Sequence, residues 1–313
     1  MALNERKCVL INIAIRQNNK IMVYENDYKG DKVIDLKKCL IELKHKSKIL
    51  TYVWFLCRQP IFAIREKRIK KNVQNRSAGY EEQRYLPIKV YKNKHLGERC
   101  FIVATGPSLT MEDLELIKNE YSFGMNSIPK IFPRTTWRPT YFGIQDCNVY
   151  EKMQSTIFDS YKSADNVFIS DSIADKFPIP ENFMQFPYDA VYHDNYLEVD
   201  KYFAKFSDDC YAIVYDGYSI TYSLIQIAVY MGFKEIYLLG ADCSYKRGAR
   251  NHVVDSGNDD KNEEKNHDKM IVGYQKAKEY AELHGIKIVN CTRGGMLEVY
   301  PRMQLEDVLR ERD

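Results

Sequence analysis

From Gly97 onward, short apolar runs alternate with longer segments whose apolar residues recur every three or four positions. The runs lack period-two alternation, as expected of parallel strands covered on both faces. They predict strands over residues 101–105, 121–125, 140–144, 167–170, 235–239 and 286–290. The 3.6-residue segments predict helices over 111–119, 148–160, 219–231, 267–284 and 304–310. Strands and helices in this order imply an α/β, Rossmann-like, doubly wound and mostly parallel sheet with helices on both faces. The clearest unit is Cys100-Phe101-Ile102-Val103-Ala104 followed by Thr105-Gly106-Pro107-Ser108. Gly106 and Pro107 end the strand, and Thr110 with Asp113 three residues later predicts a capping box that opens a helix.

The first third of the chain reads differently. Residues 1–28 hold a short apolar segment, strand or helix, before a polar turn. Residues 37–71 flank an aromatic and aliphatic centre with basic residues, while 72–91 are polar with weak periodicity and read as a linker. Residues 1–94 are therefore expected to form a basic, partly helical extension, and 95–313 the main domain. Within that domain 178–209 is rich in Pro, Phe, Tyr and Asp and reads as a lid-like insertion. Residues 245–266 form a polar loop too long to serve only as a connection.

Composition narrows the function. The net charge of +3 predicts no nucleic-acid partner, but residues 37–94 hold sixteen lysines and arginines against four acids, leaving the remainder acidic. The apolar centre at 49–57 falls short of the roughly twenty residues a membrane span needs. Its basic flanks suit either a helix on an anionic membrane surface or an arm packed on the domain or on a second subunit. A homo-oligomer stays open. The eight cysteines show neither CxxC nor Cys/His ligand spacing, and no secretory signal is evident, which suits a cytoplasmic setting.

In open α/β sheets the residues after each strand gather along one edge. Here they are Thr105, Gly106, Pro107 and Ser108; Asn126 and Ser127; Gln145 and Asp146; Gly240, Ala241 and Asp242; and Thr292, Arg293, Gly294 and Gly295. Small, amide, hydroxyl and carboxylate residues in series suit a ribose, a base edge and a phosphate. Tyr215, Tyr218, Ser219 and Thr221 open a helix whose N-terminus suits an anion. Asp242 is open to binding ribose hydroxyls, holding a metal, acting as a base, or capping its turn. His252 and His267 are candidates for moving a hydroxyl proton. No metal motif is evident.

The run from Gly97 to Leu109 resembles the entry motif of the MptE-like family, named after a pterin pyrophosphokinase. Met125-Asn126-Ser127-Ile128, the run from Met231 to Asp242, and Asn290-Cys291-Thr292-Arg293-Gly294-Gly295 resemble it too. The likeness covers about residues 94–309. The same motifs resemble bacterial sialyltransferases that use CMP-sugars, and flagellin-modifying proteins that handle nonulosonic acids. That resemblance implies a nucleotide-sugar-dependent glycosyltransferase of surface polysaccharide or glycoconjugate synthesis, with a glycan or lipid-linked acceptor and no tightly bound cofactor. Nucleotide contacts would then fall on Gly106, Pro107, Ser108 and Asn126, and the base on His252 or His267. The alternatives are an ATP- and Mg²⁺-dependent pyrophosphokinase, with Asp242 or Asp146 as metal ligand, and a non-catalytic assembly factor of the same fold.

Overall fold

The computed structural model describes residues 11–17, 20–25, 32–35, 48–164, 166–193, 202–244, 253 and 263–310. The chain divides into two compact units, residues 1–63 with 197–199 and residues 64–196 with 200–313. In the first, β1 (Ile11–Gln17), β2 (Lys20–Glu25) and β3 (Lys32–Asp35) form an antiparallel sheet. Helix α1 (Lys48–Ser77) starts in this unit and ends in the second. No helix among the described residues is long and apolar enough to cross a membrane.

In the second unit a 3₁₀ segment, Gln83–Tyr91, leads into β4 (Arg99–Val103), α2 (Met111–Leu116), β5 (Ser122–Met125) and β6 (Tyr141–Ile144). Then come α3 (Cys147–Tyr161), β7 (Val167–Ser170), α4 (Asp171–Ala174), β8 (Met184–Phe186), β9 (Tyr188–Asp189) and β10 (Val214–Tyr215). The chain continues through α5 (Ile220–Tyr230), β11 (Glu235–Leu239), α6 (Glu263–Leu283), β12 (Lys287–Asn290) and α7 (Leu305–Arg310). Seven strands pair in parallel in the order β12-β11-β4-β5-β6-β7-β8, so the fold is the α/β Rossmann-like sheet that the strand and helix pattern predicts. The short β9 and β10 pair separately, also in parallel.

Successive strand residues point to opposite faces, and each face has its own core. Phe101, Val103, Tyr237, Leu239 and Val289 pack on one side with Leu114 and Val308. Cys100, Ile102, Phe123, Ile236, Leu238 and Ile288 pack on the other against α5 and α6. Helix α5 is buried almost all round and lies so close to the sheet that a side chain at Gly143 would meet Leu224 at 2.5 Å. Burial on all sides explains its near-continuous apolar sequence.

Two segments differ from expectation. Residues 72–91 are not an extended linker, because α1 runs to Ser77 and the 3₁₀ segment buries Tyr85, Ile88 and Tyr91. A spacing of three aligns them on one stripe of a three-residue helix. Residues 184–186, inside the stretch read as lid-like, form the edge strand of the main sheet. Three residues between proline-rich turns are too short to register as a periodic run.

Candidate functional site

The strand order reverses beside β4, whose neighbours are β5 on one side and β11 on the other. Connections leaving β4 and β11 diverge there and open a crevice beyond their carboxyl ends, the place where open α/β sheets bind ligands. A cleft with about 480 Å³ of empty space occupies that position. Its walls are the β4 turn (Thr105, Gly106), Asn126 after β5, Ser219 and Thr221 at the start of α5, Asp242 and Cys243 after β11, and Met270 and Tyr274 of α6.

The β4 turn is fixed by contact with the β11 end. Gly106 N donates to Gly240 O at 2.8 Å, and Ser108 Oγ donates to Asp242 Oδ2 at 2.8 Å. A Cβ on Gly106 would lie 1.8 Å from Asp242 Oδ2 and 2.4 Å from Gly240 O, so the close approach requires glycine. Asp242 is itself 7% exposed. Burial pushes its carboxyl above the usual range, while the Ser108 bonds and the Arg302 charge partly counter that. Thr292 accepts from Ala241 N at 3.0 Å, and Met296 N donates to Asp242 O, which ties the β12 end behind the same carboxylate.

Across the cleft Asn126 adopts a left-handed backbone with φ 49°, a conformation in which Asn is enriched. Its Oδ1 is buried and meets no donor among the described residues. A buried acceptor left unpaired costs about 1–3 kcal/mol, so a ligand donor reaching it gains that cost back as affinity. Ser219 caps α5 by accepting from Thr221 N at 3.2 Å. Thr221 Oγ1 points onto the Met125 sulfur, 3.5 Å away. Cys243 also has positive φ, and burial raises its thiol to about 12, so it stays protonated and is no nucleophile.

Several expected site residues stand elsewhere. Pro107 is exposed at the tip of the β4 turn. Gln145 is buried and accepts from Ser223 Oγ at 2.6 Å, locking α5 to the β6 end. Asp146 caps α3, accepting from Asn148 N at 2.6 Å and Val149 N at 3.3 Å. The Tyr215 backbone donates to Gln226 Oε1 and accepts from Gln226 Nε2, and the Tyr218 hydroxyl donates to the backbone of Tyr192 and Phe203. Thr292 and Gly294 line a second groove with Arg302. His267 touches the cleft wall through Nδ1 and Cys243 O, 2.8 Å apart. His252 lies outside the described residues. Met270 and Tyr274 were not singled out from the sequence. They belong to the row His267, Met270, Tyr274, Ala277, Ala281, whose spacing marks the buried face of α6.

No curated protein matches the sequence. Among solved structures, the MAf glycosyltransferase from Magnetospirillum magneticum AMB-1 is 13% identical with a TM-score of 0.42. That likeness covers 71% of this chain but only 37% of MAf's own length. The sialyltransferase CstII from Campylobacter jejuni, in complex with a substrate analogue, cytidine-5'-monophosphate, is 14% identical with a TM-score of 0.34, covering 66% of this chain and 85% of CstII. A family model described as 6-hydroxymethylpterin diphosphokinase MptE-like matches residues 70–248. That span is more than half of the chain and carries β4, its glycine turn, α5 and the β11 end with Asp242, so this protein belongs to the MptE-like family.

Proposed function

We propose that the chain is a transferase that binds a nucleotide-linked donor in the cleft between the β4 turn and the start of α5. The observation that carries this reading is the cleft's position at the strand-order reversal, combined with its lining. One wall can hold only glycine, and the other offers a buried, unpaired amide oxygen at Asn126. A ribose hydroxyl or a base amino group supplies the donor that Asn126 Oδ1 lacks. The α5 N-terminus, with its dipole directed at the cleft, favours the phosphate. Binding energy gathered there holds the donor's reactive atom in line with an incoming hydroxyl.

The finer reading is glycosyl transfer from a CMP-sugar-like donor to a glycan or lipid-linked acceptor. An acceptor oxygen forms the new C–O bond while the sugar–phosphate bond breaks and its electron pair leaves on the phosphate. The basic stretch of 37–71 would hold such an enzyme near membrane-linked acceptors. A second reading, diphosphoryl transfer from ATP to a small alcohol, is favoured by the description of the family itself. Mg²⁺ would then neutralise the phosphates. Asp242, which lines the cleft, would be the ligand in that reading, whereas Asp146 caps α3 and is not among the cleft-lining residues.

A thermal-shift panel of CMP, CDP, UDP, GDP and ATP, each with and without Mg²⁺, tests both. A ligand that binds only the folded state raises Tm by mass action. A metal-independent rise with CMP or another sugar-carrier nucleotide is expected under glycosyl transfer. A rise with ATP only in the presence of Mg²⁺ selects diphosphoryl transfer. No shift with any nucleotide overturns the transferase reading in favour of a non-catalytic factor.

A further inference from the structure

Helix α1 carries two rows of side chains at helical spacing, and they meet different surroundings. Phe55, Gln59, Phe62, Glu66, Ile69 and Val73 recur every three or four residues and are all wholly or partly covered, with Phe62 only 6% exposed. This row ends on Arg76, which is buried and donates to Ala212 O at 2.8 Å. The opposite row is Ile49, Tyr52, Val53, Leu56, Pro60 and Ile64, again at three- and four-residue steps. Every member of it is exposed, Ile49 by 75% and Ile64 by 69%. A helix that only packs on a domain needs one apolar row, because its other side meets water. A second, continuous apolar row marks a surface made for contact.

Charge identifies what covers it. Helix α1 holds eight lysines and arginines against one acid, Glu66. Glu66 stands on the covered row, where it accepts from the Tyr192 hydroxyl at 2.6 Å and pairs with Lys70 at 3.1 Å. The apolar row therefore has no carboxylate. Lys67 and Lys71 continue it beyond Ile64, both exposed and without an ion pair among the described residues. The row is thus an apolar strip with a cationic end. A second copy covers it poorly. Parallel pairing sets Lys67 and Lys71 against the same lysines, and antiparallel pairing sets them toward the start of the other copy's helix, where the sequence has Lys44, Lys46 and Lys48. No helix among the described residues is long and apolar enough to cross a membrane. A bilayer surface with anionic headgroups meets both demands, for it accepts an apolar strip and neutralises the lysines.

We propose that α1 lies along an anionic membrane surface, with the row from Ile49 to Ile64 inserted at the acyl boundary and Lys67, Arg68 and Lys71 on the headgroup phosphates. This deepens the membrane placement within the transferase reading. It names the contacting row and makes apolar insertion, rather than charge alone, the main source of binding. Attraction between the lysines and the headgroups is screened by salt, whereas burial of apolar surface is not. Contact with lipid therefore weakens at high salt and persists. The covered row keeps its partners throughout, because the two rows lie on opposite sides of the helix.

The test is flotation of the full chain with vesicles of phosphatidylcholine, alone or with about one third phosphatidylglycerol, at about 0.1 and 0.5 M salt. Binding to the anionic vesicles is expected to exceed binding to the neutral ones by about tenfold or more at the lower salt. Leu56→Glu, an exposed position that the fold does not need, is expected to lose about tenfold or more at both salts. Lys67→Glu combined with Lys71→Glu is expected to erase the preference for anionic lipid and to leave a weaker, salt-insensitive binding. A Leu56→Glu protein that binds within about twofold of wild type overturns the assignment of the row. A wild type that floats with neither vesicle overturns the proposal. If that protein is a dimer in sedimentation that Leu56→Glu dissociates, the row covers a second copy, and if it is a monomer, the cover is another protein. The nucleotide-induced rise in Tm, read without vesicles, is expected to be the same in wild type and Leu56→Glu. Its absence alongside intact vesicle binding overturns the transferase reading alone.

Discussion

The two edges of the seven-stranded sheet use polar residues in opposite ways. At the amino edge the buried Arg99 and His95 have partners, although the Ser122 hydroxyl and Asn166 Oδ1 are buried with none among the described residues. Arg99, at the start of β4, forks onto Glu120 at 2.6 and 3.1 Å and donates to Val308 O at 3.0 Å, and this pairing pushes its guanidinium further up from the usual arginine value. His95 is bonded at both ring nitrogens, to Glu98 and to the Tyr141 hydroxyl, and stacks on Phe233. At the carboxyl edge three residues with side chains, Asn126, Tyr218 and Cys243, turn left-handed, where the amino side turns through Asn93 and the glycines Gly97, Gly232 and Gly285; Asn126 keeps an unpaired oxygen, and Asp242 is buried with its carboxyl raised. Strain and unmet bonding of this kind cost stability, and they persist where a ligand is to be met. On the proposed reading, one edge maintains the fold and the other is arranged for binding.

Substitutions on the two edges separate these roles. The largest loss of stability is expected from Arg99→Ala, which removes the guanidinium that forks onto the half-buried Glu120. Breaking such a pair costs about 3–5 kcal/mol, and this one sits toward the lower end because Glu120 keeps some solvent. Denaturant unfolding measures the loss, and the nucleotide-induced Tm rise of the folded fraction should be unchanged. Gly106→Ala comes next. Its Cβ must force the β4 turn away from Asp242 and Gly240, at about 2 kcal/mol by the usual scale of overpacking. Here the nucleotide response should vanish as well. A Gly106→Ala protein that binds nucleotide like the wild type would break the comparison, for the tight wall would then be structure alone.

The sheet was readable because its signals are local. A covered strand, a breaker and a cap within fifteen residues identify the β4–turn–α2 unit, and the Thr110–Asp113 box forms with bonds of 3.1 and 3.3 Å. Strand-end reasoning pointed to Thr105, Gly106, Asn126 and Asp242, and the helix-start reading to Ser219 and Thr221, all of which line one cleft. It did not reveal why Gly106 must be glycine, because Asp242 and the Ser108 it bonds lie 134 residues apart and meet only through the pairing of β4 with β11. The same reasoning treated Asp146 as a ligand contact, whereas a carboxylate just before a helix has a nearer use for its oxygen in the unpaired amides of the first turn. The Tyr85, Ile88, Tyr91 stripe was hidden by its period of three.

Smaller effects on the carboxyl edge sharpen the contrast further. Ser219→Ala removes the α5 cap at the cleft and should cost about 1 kcal/mol, with a weakened nucleotide response. Asp242→Asn should be milder still at neutral pH, below about 1 kcal/mol, because the amide oxygen retains the Ser108 hydroxyl bond. Its value lies in the sign. A carboxyl raised in the folded state binds its proton more tightly there than in the unfolded chain. The stability it contributes is therefore fully present below the unfolded value of about 3.9 and is lost as pH rises through the raised folded value. Unfolding free energies of wild type and Asp242→Asn should thus shift in favour of the variant as pH rises from about 4 toward neutrality, and run parallel beyond that. The opposite slope would mean that Asp242 is held as a favoured carboxylate. The carboxyl edge would then be another paired and stabilising surface, not one kept ready for a ligand.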